Sequence, residues 1–278
     1  MFNPNESLGI IAGCGDLPKE VIKSCEAIGC EYTVFSLSKN FKGNYKFDYK
    51  FNIGQSSRIF SKLHELKIKN IIMVGKVNRP NISDLRLDFR TLNFILRAII
   101  MSFKFKSVIG DDYLLRMVIS EIEKDGINII GVEEILTDYF FSHGLFTNHS
   151  PTDKEKEEIN IGLKASKRLG KNDIGQSVVI NNGLVIGEED YKGTDYLINN
   201  LDYDYEASYN PILIKTVKPN QDRRVDLPVI GSKTIDLCIE KGFRGIVIEA
   251  NGTLINDKKY VIKKCNDHGL FLMSVNCS

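Results

Sequence analysis

The groups best suited to chemistry gather in one stretch, Lys218-Pro219-Asn220-Gln221-Asp222-Arg223-Arg224-Val225-Asp226-Leu227-Pro228. It sets three cations, two carboxylates and side-chain amides between two apolar runs. Cleaving a phosphoanhydride needs positive charge on the phosphoryl oxygens, a carboxylate that can hold Mg²⁺, and a group that positions water. This loop holds candidates for all three. A solvated charged loop is the plainer alternative.

Other positions suit anion or metal contact. Gly13-Cys14-Gly15-Asp16-Leu17-Pro18 follows an apolar run, and a glycine turn before a helix lets backbone approach a phosphate. The dinucleotide fingerprint G-x-G-x-x-G is incomplete here, because Pro18 stands where its third glycine belongs. Gly75-Lys76-Val77-Asn78-Arg79-Pro80 follows a further apolar run, where Lys76 and Arg79 could serve a phosphate. Gly110-Asp111-Asp112 and Gly193-Thr194-Asp195 open helices, so capping competes with ligand contact at both.

Between Leu85 and Lys106 the basic residues Arg86, Arg90, Arg97, Lys104 and Lys106 face a single acid, Asp88. The same segment carries Phe89, Leu92, Phe94 and Ile95 at helical spacing. Such a helix can lie on an anionic membrane or simply pack in a core. His64, His143, His149 and His268 are scattered, as are the six cysteines, and no zinc ligand spacing or nucleophile motif occurs. We expect free thiols in a reducing cytoplasm. The chain has 278 residues with 37 Lys+Arg and 36 Asp+Glu, a formal net charge of +1. That balance argues against steering towards nucleic acid.

Positioning these residues takes alternating elements. LGIIAG (8–13), EYTVFSL (31–37), NIIMVGKV (70–77) and INIIGVEEIL (127–136) read as strands, and PKEVIKSCEAIG, SSRIFSKLHELKI and GDDYLLRMVISEIEKDG as helices. Residues 38–52 read as irregular. The alternation predicts an α/β fold with an N-terminal Rossmann-like parallel sheet over 1–136. The turn-rich stretch 137–152 is expected to be a linker. A second α/β domain with a mixed sheet follows over 153–278, with a hairpin at Asn181-Asn182-Gly183.

Taken in order, LGIIAGCGDLP (8–18), VGKVNRP (74–80), GDDYLLR (110–116), DIGQSVVINNGLVIGEEDYKGTD (173–195), KPNQDRRVDLPVIG (218–231) and GLFLMSVN (269–276) carry a resemblance. The chain resembles the UDP-2,3-diacylglucosamine pyrophosphatases of the lipid A pathway, in the type unrelated to calcineurin-like enzymes. The resemblance implies two α/β domains with the substrate held between them, and Mg²⁺-dependent hydrolysis to UMP and 2,3-diacylglucosamine 1-phosphate. It places the family's essential aspartate at Asp226, as catalytic residue and metal ligand, with Arg224 beside it. Gln221 stands at a matching position, whereas Asp222 and Arg223 inherit no role.

The residues expected to contact substrate are Gly13, Gly15, Gly75, Arg79, Thr194, Asp195, Lys218 and Gln221. Expected partners are the lipid-linked UDP-sugar and, transiently, the cytoplasmic face of the inner membrane, with a homodimer as an option and no nucleic acid. Two other classes stay open. One is a nucleotide-cofactor oxidoreductase, against which the irregular fingerprint counts. The other is a non-catalytic nucleotide-sugar or lipid-binding protein, which would not require Asp226.

Overall fold

The chain divides into two units, Met1–Leu136 and Thr137–Ser278. The computed structural model describes residues 2–37, 48–77, 87–105, 111–201, 210–219 and 221–277.

In the first unit, β1 (Leu8–Ala12) is buried at all five positions, as a central parallel strand must be. It leads into α1 (Leu17–Ala27), β2 (Tyr32–Ser36), β3 (Asp48–Lys50), α2 (Ser56–Glu65) and β4 (Asn70–Val74). Then come α3 (Phe89–Phe105), α4 (Asp111–Lys124) and β5 (Asn128–Ile129). The strands form one parallel sheet in the order β3-β2-β1-β4-β5. Connections run outward from β1 on one side and from β4 on the other, so the switch point lies between these two strands.

Two sequence readings change here. Part of the irregular stretch, Asp48–Lys50, pairs parallel with the end of β2. The expected strand over 127–136 keeps only Asn128–Ile129 and then coils into a single 3₁₀ turn, Val132–Glu134. Ile130, Val132, Ile135 and Leu136 are buried all the same. A short apolar run reports burial, not backbone shape.

The helices of this unit are fastened by polar contacts. The Asp88 carboxylate accepts from the Ser57 N–H (2.7 Å) at the start of α2 and from the Thr91 N–H (2.9 Å) at the start of α3. It caps two helices at once, satisfying amides that have no partner within their helix. Just past α4, Asp125 receives Arg90 (3.0 Å) and His64 (2.8 Å), and on α4 itself Glu121 receives Arg97 (2.9 Å).

The second unit opens with β6 (Gly144–Leu145), α5 (Asp153–Lys171), β7 (Ser177–Asn181), β8 (Leu184–Glu188) and α6 (Thr194–Asn199). It continues with β9 (Ile212–Lys215), β10 (Val229–Ile230), α7 (Ser232–Glu240), β11 (Gly245–Glu249), β12 (Leu254–Ile255), α8 (Lys258–Asp267) and β13 (Phe271–Val275). Its main sheet is mixed, in the order β6-β13-β11-β9-β7-β8, with β9, β11 and β13 parallel. Val179, Leu213, Ile246, Ile248 and Leu272 pack on one face with residues of α6, α7 and α8. Val178, Ile180, Ile212, Ile214, Val247 and Phe271 pack on the other with α5. This is the period-two alternation of strands covered on both sides. The expected hairpin is present: Asn182 (φ 48°) and Gly183 (φ 77°) both take positive φ, as a two-residue type I′ turn demands.

Residues 137–152, expected to be a linker, are built into this unit. Phe141 is 4% exposed in its core and stacks on Phe146 with ring centroids 3.9 Å apart. β6 pairs antiparallel with β13, and Phe140 bridges to Leu254. Turn formers predicted a tether, but the aromatic residues among them carry enough apolar surface to bury the stretch.

Candidate active site

The parallel strands β9, β11 and β13 end together, and ligands of open α/β sheets bind beyond such carboxyl ends. The loop 216–228 leaves from the end of β9 and is held along that edge. Val217 N–H donates to Glu249 Oε2 (2.9 Å), and Lys218 Nζ meets Asp173 Oδ1 (2.7 Å). Arg223 donates to the Asn251 carbonyl, and the Pro228 carbonyl accepts from Leu254 N–H (2.9 Å). Gln221 closes a local ring with Lys218: its N–H donates to the Lys218 carbonyl (3.1 Å) and its Oε1 accepts from the Lys218 N–H (3.1 Å).

Asp222, which inherited no role by resemblance, organises the loop's backbone and its Arg224 side chain. Its carboxylate takes Arg224 Nε (3.0 Å) and Nη2 (2.7 Å) side by side, and the Arg224 backbone N–H as well (3.1 Å). Its carbonyl accepts from the N–H groups of Val225 and Asp226, each at 3.1 Å. One residue thus sets the plane of the guanidinium and winds the turn that carries Asp226. The Asp-x-Arg spacing was the only signal in the sequence.

Thr194 and Asp195, expected to touch substrate, are taken up by internal partners. Lys215 Nζ donates to Thr194 Oγ1 (2.8 Å), and Thr194 donates to Glu189 Oε2 (3.0 Å). The Ser177 hydroxyl lies 3.1 Å from Thr194 Oγ1. A hydroxyl has one donor and two acceptor sites, so with Ser177 donating the Thr194 hydroxyl is saturated. Asp195 receives Lys233 Nζ (2.8 Å) and the Thr234 hydroxyl (3.0 Å), tying α6 to α7. Burial pushes the Asp195 carboxyl up, but Lys233, Thr234 and the charge of Lys215 outweigh it and hold it below the usual range.

Among the described residues of this unit, four buried side-chain polar atoms lack a protein partner: Gln176 Oε1, Gln221 Nε2, Thr253 Oγ1 and Ser274 Oγ. Gln221 is 9% exposed, and Thr253 and Ser274 are fully buried. Gln221 lies in the loop after β9, Thr253 follows β11, Ser274 is the last but one residue of β13, and the Gln176 carbonyl accepts from Thr216 N–H (3.0 Å). All four therefore sit at one sheet edge. Buried polar groups are normally paired, so this edge is short of partners that a polar ligand or water can supply.

In the first unit, Gly13 and Gly75 lie just past β1 and β4, at the switch point. Gly13 N–H donates to the Val74 carbonyl (2.8 Å), and Cys14 and Lys76 exchange two backbone bonds (2.7 and 2.9 Å). A Cβ on Gly13 would meet the Lys76 carbonyl oxygen at 2.5 Å. These two glycines let two turns close on each other, a structural need that a phosphate site would share. Gly15 takes φ 102°, and a Cβ on it would meet nothing within 4 Å. Arg79 and Gly110 lie outside the described residues.

Of the basic segment expected to face lipid, Arg86 and Lys106 lie outside the described residues, and two other cations have acidic partners. Arg90 pairs with Asp125 and Arg97 with Glu121, and Arg90 also lies over the Phe60 ring (3.6 Å). Among its described residues α3 also exposes apolar side chains: Phe89 (84%), Leu92 (43%) and Leu96 (50%) fall on one stripe.

Among the described residues no three His, Cys, Asp or Glu side chains cluster as a metal cage. Mg²⁺ asks for less, one or two carboxylates with water and phosphate oxygens completing its shell. The hard oxygens of Asp226 suit that ion.

Comparison with known proteins covers both units. Residues 7–139 match the LpxI N-terminal domain and residues 142–273 the LpxI C-terminal domain. The chain is 34% identical to the UDP-2,3-diacylglucosamine pyrophosphatase LpxI of Caulobacter vibrioides, over 97% of each chain.

Proposed function

This chain belongs to the LpxI family, and from that premise we propose that it hydrolyses the diphosphate of UDP-2,3-diacylglucosamine. The products are UMP and 2,3-diacylglucosamine 1-phosphate, within lipid A biosynthesis. The observation that carries the reading is the identity of 34% sustained across 97% of both chains, in two consecutive domains.

Residue roles follow from the loop. Arg224, held flat by Asp222, presents a fixed cation to the phosphoryl oxygens, so little reorganisation is needed as charge develops there. Lys218 and Gln221 stand on the same loop, the amide of Gln221 with donors to spare for a ligand oxygen. Asp226 would hold Mg²⁺. Bound there, that ion would supply positive charge against the diphosphate and acidify a nearby water.

The substrate carries two acyl chains, so the enzyme must collect it from a membrane. No helix among the described residues is long and apolar enough to cross one. We put the contact on the exposed stripe of Phe89, Leu92 and Leu96 rather than on Arg90 and Arg97, which are paired with acids.

The test is a product assay. Purified protein given UDP-2,3-diacylglucosamine and Mg²⁺ is expected to release UMP and the 1-phosphate. A folded protein that releases neither overturns the reading.

A further inference from the structure

Lys215 ends β9 and is 5% exposed. Lysine is rarely buried this far without a partner. Its ammonium sits on Thr194 Oγ1 at 2.8 Å, and that hydroxyl passes on to Glu189 Oε2 at 3.0 Å, with Glu189 itself 7% exposed. A buried cation and a buried acid thus share one hydroxyl, which accepts from the ammonium and donates to the carboxylate.

The next residue, Thr216, begins the loop that bears Gln221, Arg224 and Asp226. It is 2% exposed, and its hydroxyl meets Ser166 Oγ at 2.7 Å. The loop therefore leaves the sheet from a point set by directional polar contacts. Apolar side chains of similar volume would serve stability as well or better, since replacing a buried charged pair by them is often neutral or stabilising. What the charged arrangement adds is orientation.

We propose that Lys215 is a positioning residue for the reaction: seated on Thr194, its ammonium fixes the departure of residues 216–228 and so the placement of Arg224 and Asp226. The proposal rests on the reading of this loop as the reacting one, and its test separates the two.

Wild type is compared with Lys215→Met and with Lys215→Met/Glu189→Gln, which removes both buried charges and so keeps a folded variant should the single change leave Glu189 uncompensated. Hydrogen exchange is read over residues 216–228, alongside steady-state kinetics. Amides of the loop are expected to exchange about tenfold faster in the variants, while those of β9, β11 and β13 keep their protection. kcat is expected to fall about 100-fold, the scale of a misplacement near 1 Å. KM is expected to stay within about threefold, because ground-state binding is spared. Thr194→Ser, which keeps the acceptor for Lys215, is expected to recover loop protection and kcat relative to Thr194→Val. Wild-type loop protection and wild-type kcat in the folded double variant would overturn the proposal. A wild-type protein that forms no UMP would overturn the hydrolase reading instead, and the exchange data would still decide whether Lys215 holds the loop.

Discussion

Arg224 lies against Asp222 in a two-point contact, Nε to Oδ1 at 3.0 Å and Nη2 to Oδ2 at 2.7 Å, two residues apart on one loop. The pair is part-exposed, so it adds only about 0–1 kcal/mol to stability. Its importance is orientation. Asp222→Asn is expected to fold with a nearly unchanged melting temperature and to lose about 10- to 100-fold in kcat, the scale of a misplaced catalytic group. Unchanged kcat would remove Asp222 from the machinery.

Asp226 shares that turn but is expected to do different work. Asp226→Ala should abolish turnover in a protein that remains folded by circular dichroism. In wild type, chelation by EDTA should stop the reaction and added Mg²⁺ should restore it. Near-full activity of Asp226→Ala, or of the chelated protein, would refute the metal-binding role.

Gly13 tests the closed turns of the first unit. A methyl there would press on the Lys76 carbonyl oxygen and on Gly75, all backbone atoms that cannot swing aside. Gly13→Ala is expected to cost about 1–3 kcal/mol in urea unfolding, the usual penalty of overpacking.

Asp88 supplies a pH dependence. Burial pushes its carboxyl up, but hydrogen bonds from Thr91 and Ser57 outweigh that and hold it below the usual range. A carboxyl lowered on folding gives stability that is fully present above its unfolded value, about 3.9, and is lost as pH falls through its folded value. Asp88→Ala removes both caps and should cost about 2 kcal/mol at neutral pH. The gap to wild type should narrow below about pH 4, where the Asp88 carboxyl of the unfolded chain takes up a proton before the folded one does. Denaturant unfolding at two pH values reads both numbers.

The stripe on α3 predicts hydrophobic rather than electrostatic membrane contact. Phe89→Ser/Leu96→Ser should lower co-sedimentation with vesicles about tenfold. Raising salt to about 0.5 M, where screening leaves only a few Å of range, should change wild-type binding little. Strong salt sensitivity would return the contact to the cations.

Much of this protein is determined by the sequence alone, because the deciding interactions are local. Asn182-Gly183 needs positive φ at both positions, and almost nothing else suits it but a tight hairpin. The buried runs Leu8–Ala12 and Asn70–Val74 are each five residues long and stopped by glycine, a length and boundary that favour a covered strand over a helix. Thr152 and Glu155 close a capping box three residues apart at the head of α5. The loop proposed to carry the reaction was legible for the same reason, its charges being neighbours in the chain.

Tertiary structure decided what depends on partners far away in sequence. Lys215 and Glu189 are 26 positions apart, and only the pairing of β7 with β9 brings Ser177, Thr194 and Lys215 to one hydroxyl. Asp125 pairs with Arg90 across 35 positions, a partner that the local run of basic residues does not announce. Residues 137–152 carry turn formers throughout, yet Phe141 draws them into a core. A side chain's charge is written in its type, but whether that charge faces solvent, substrate or an internal partner is fixed only when distant strands and helices pack.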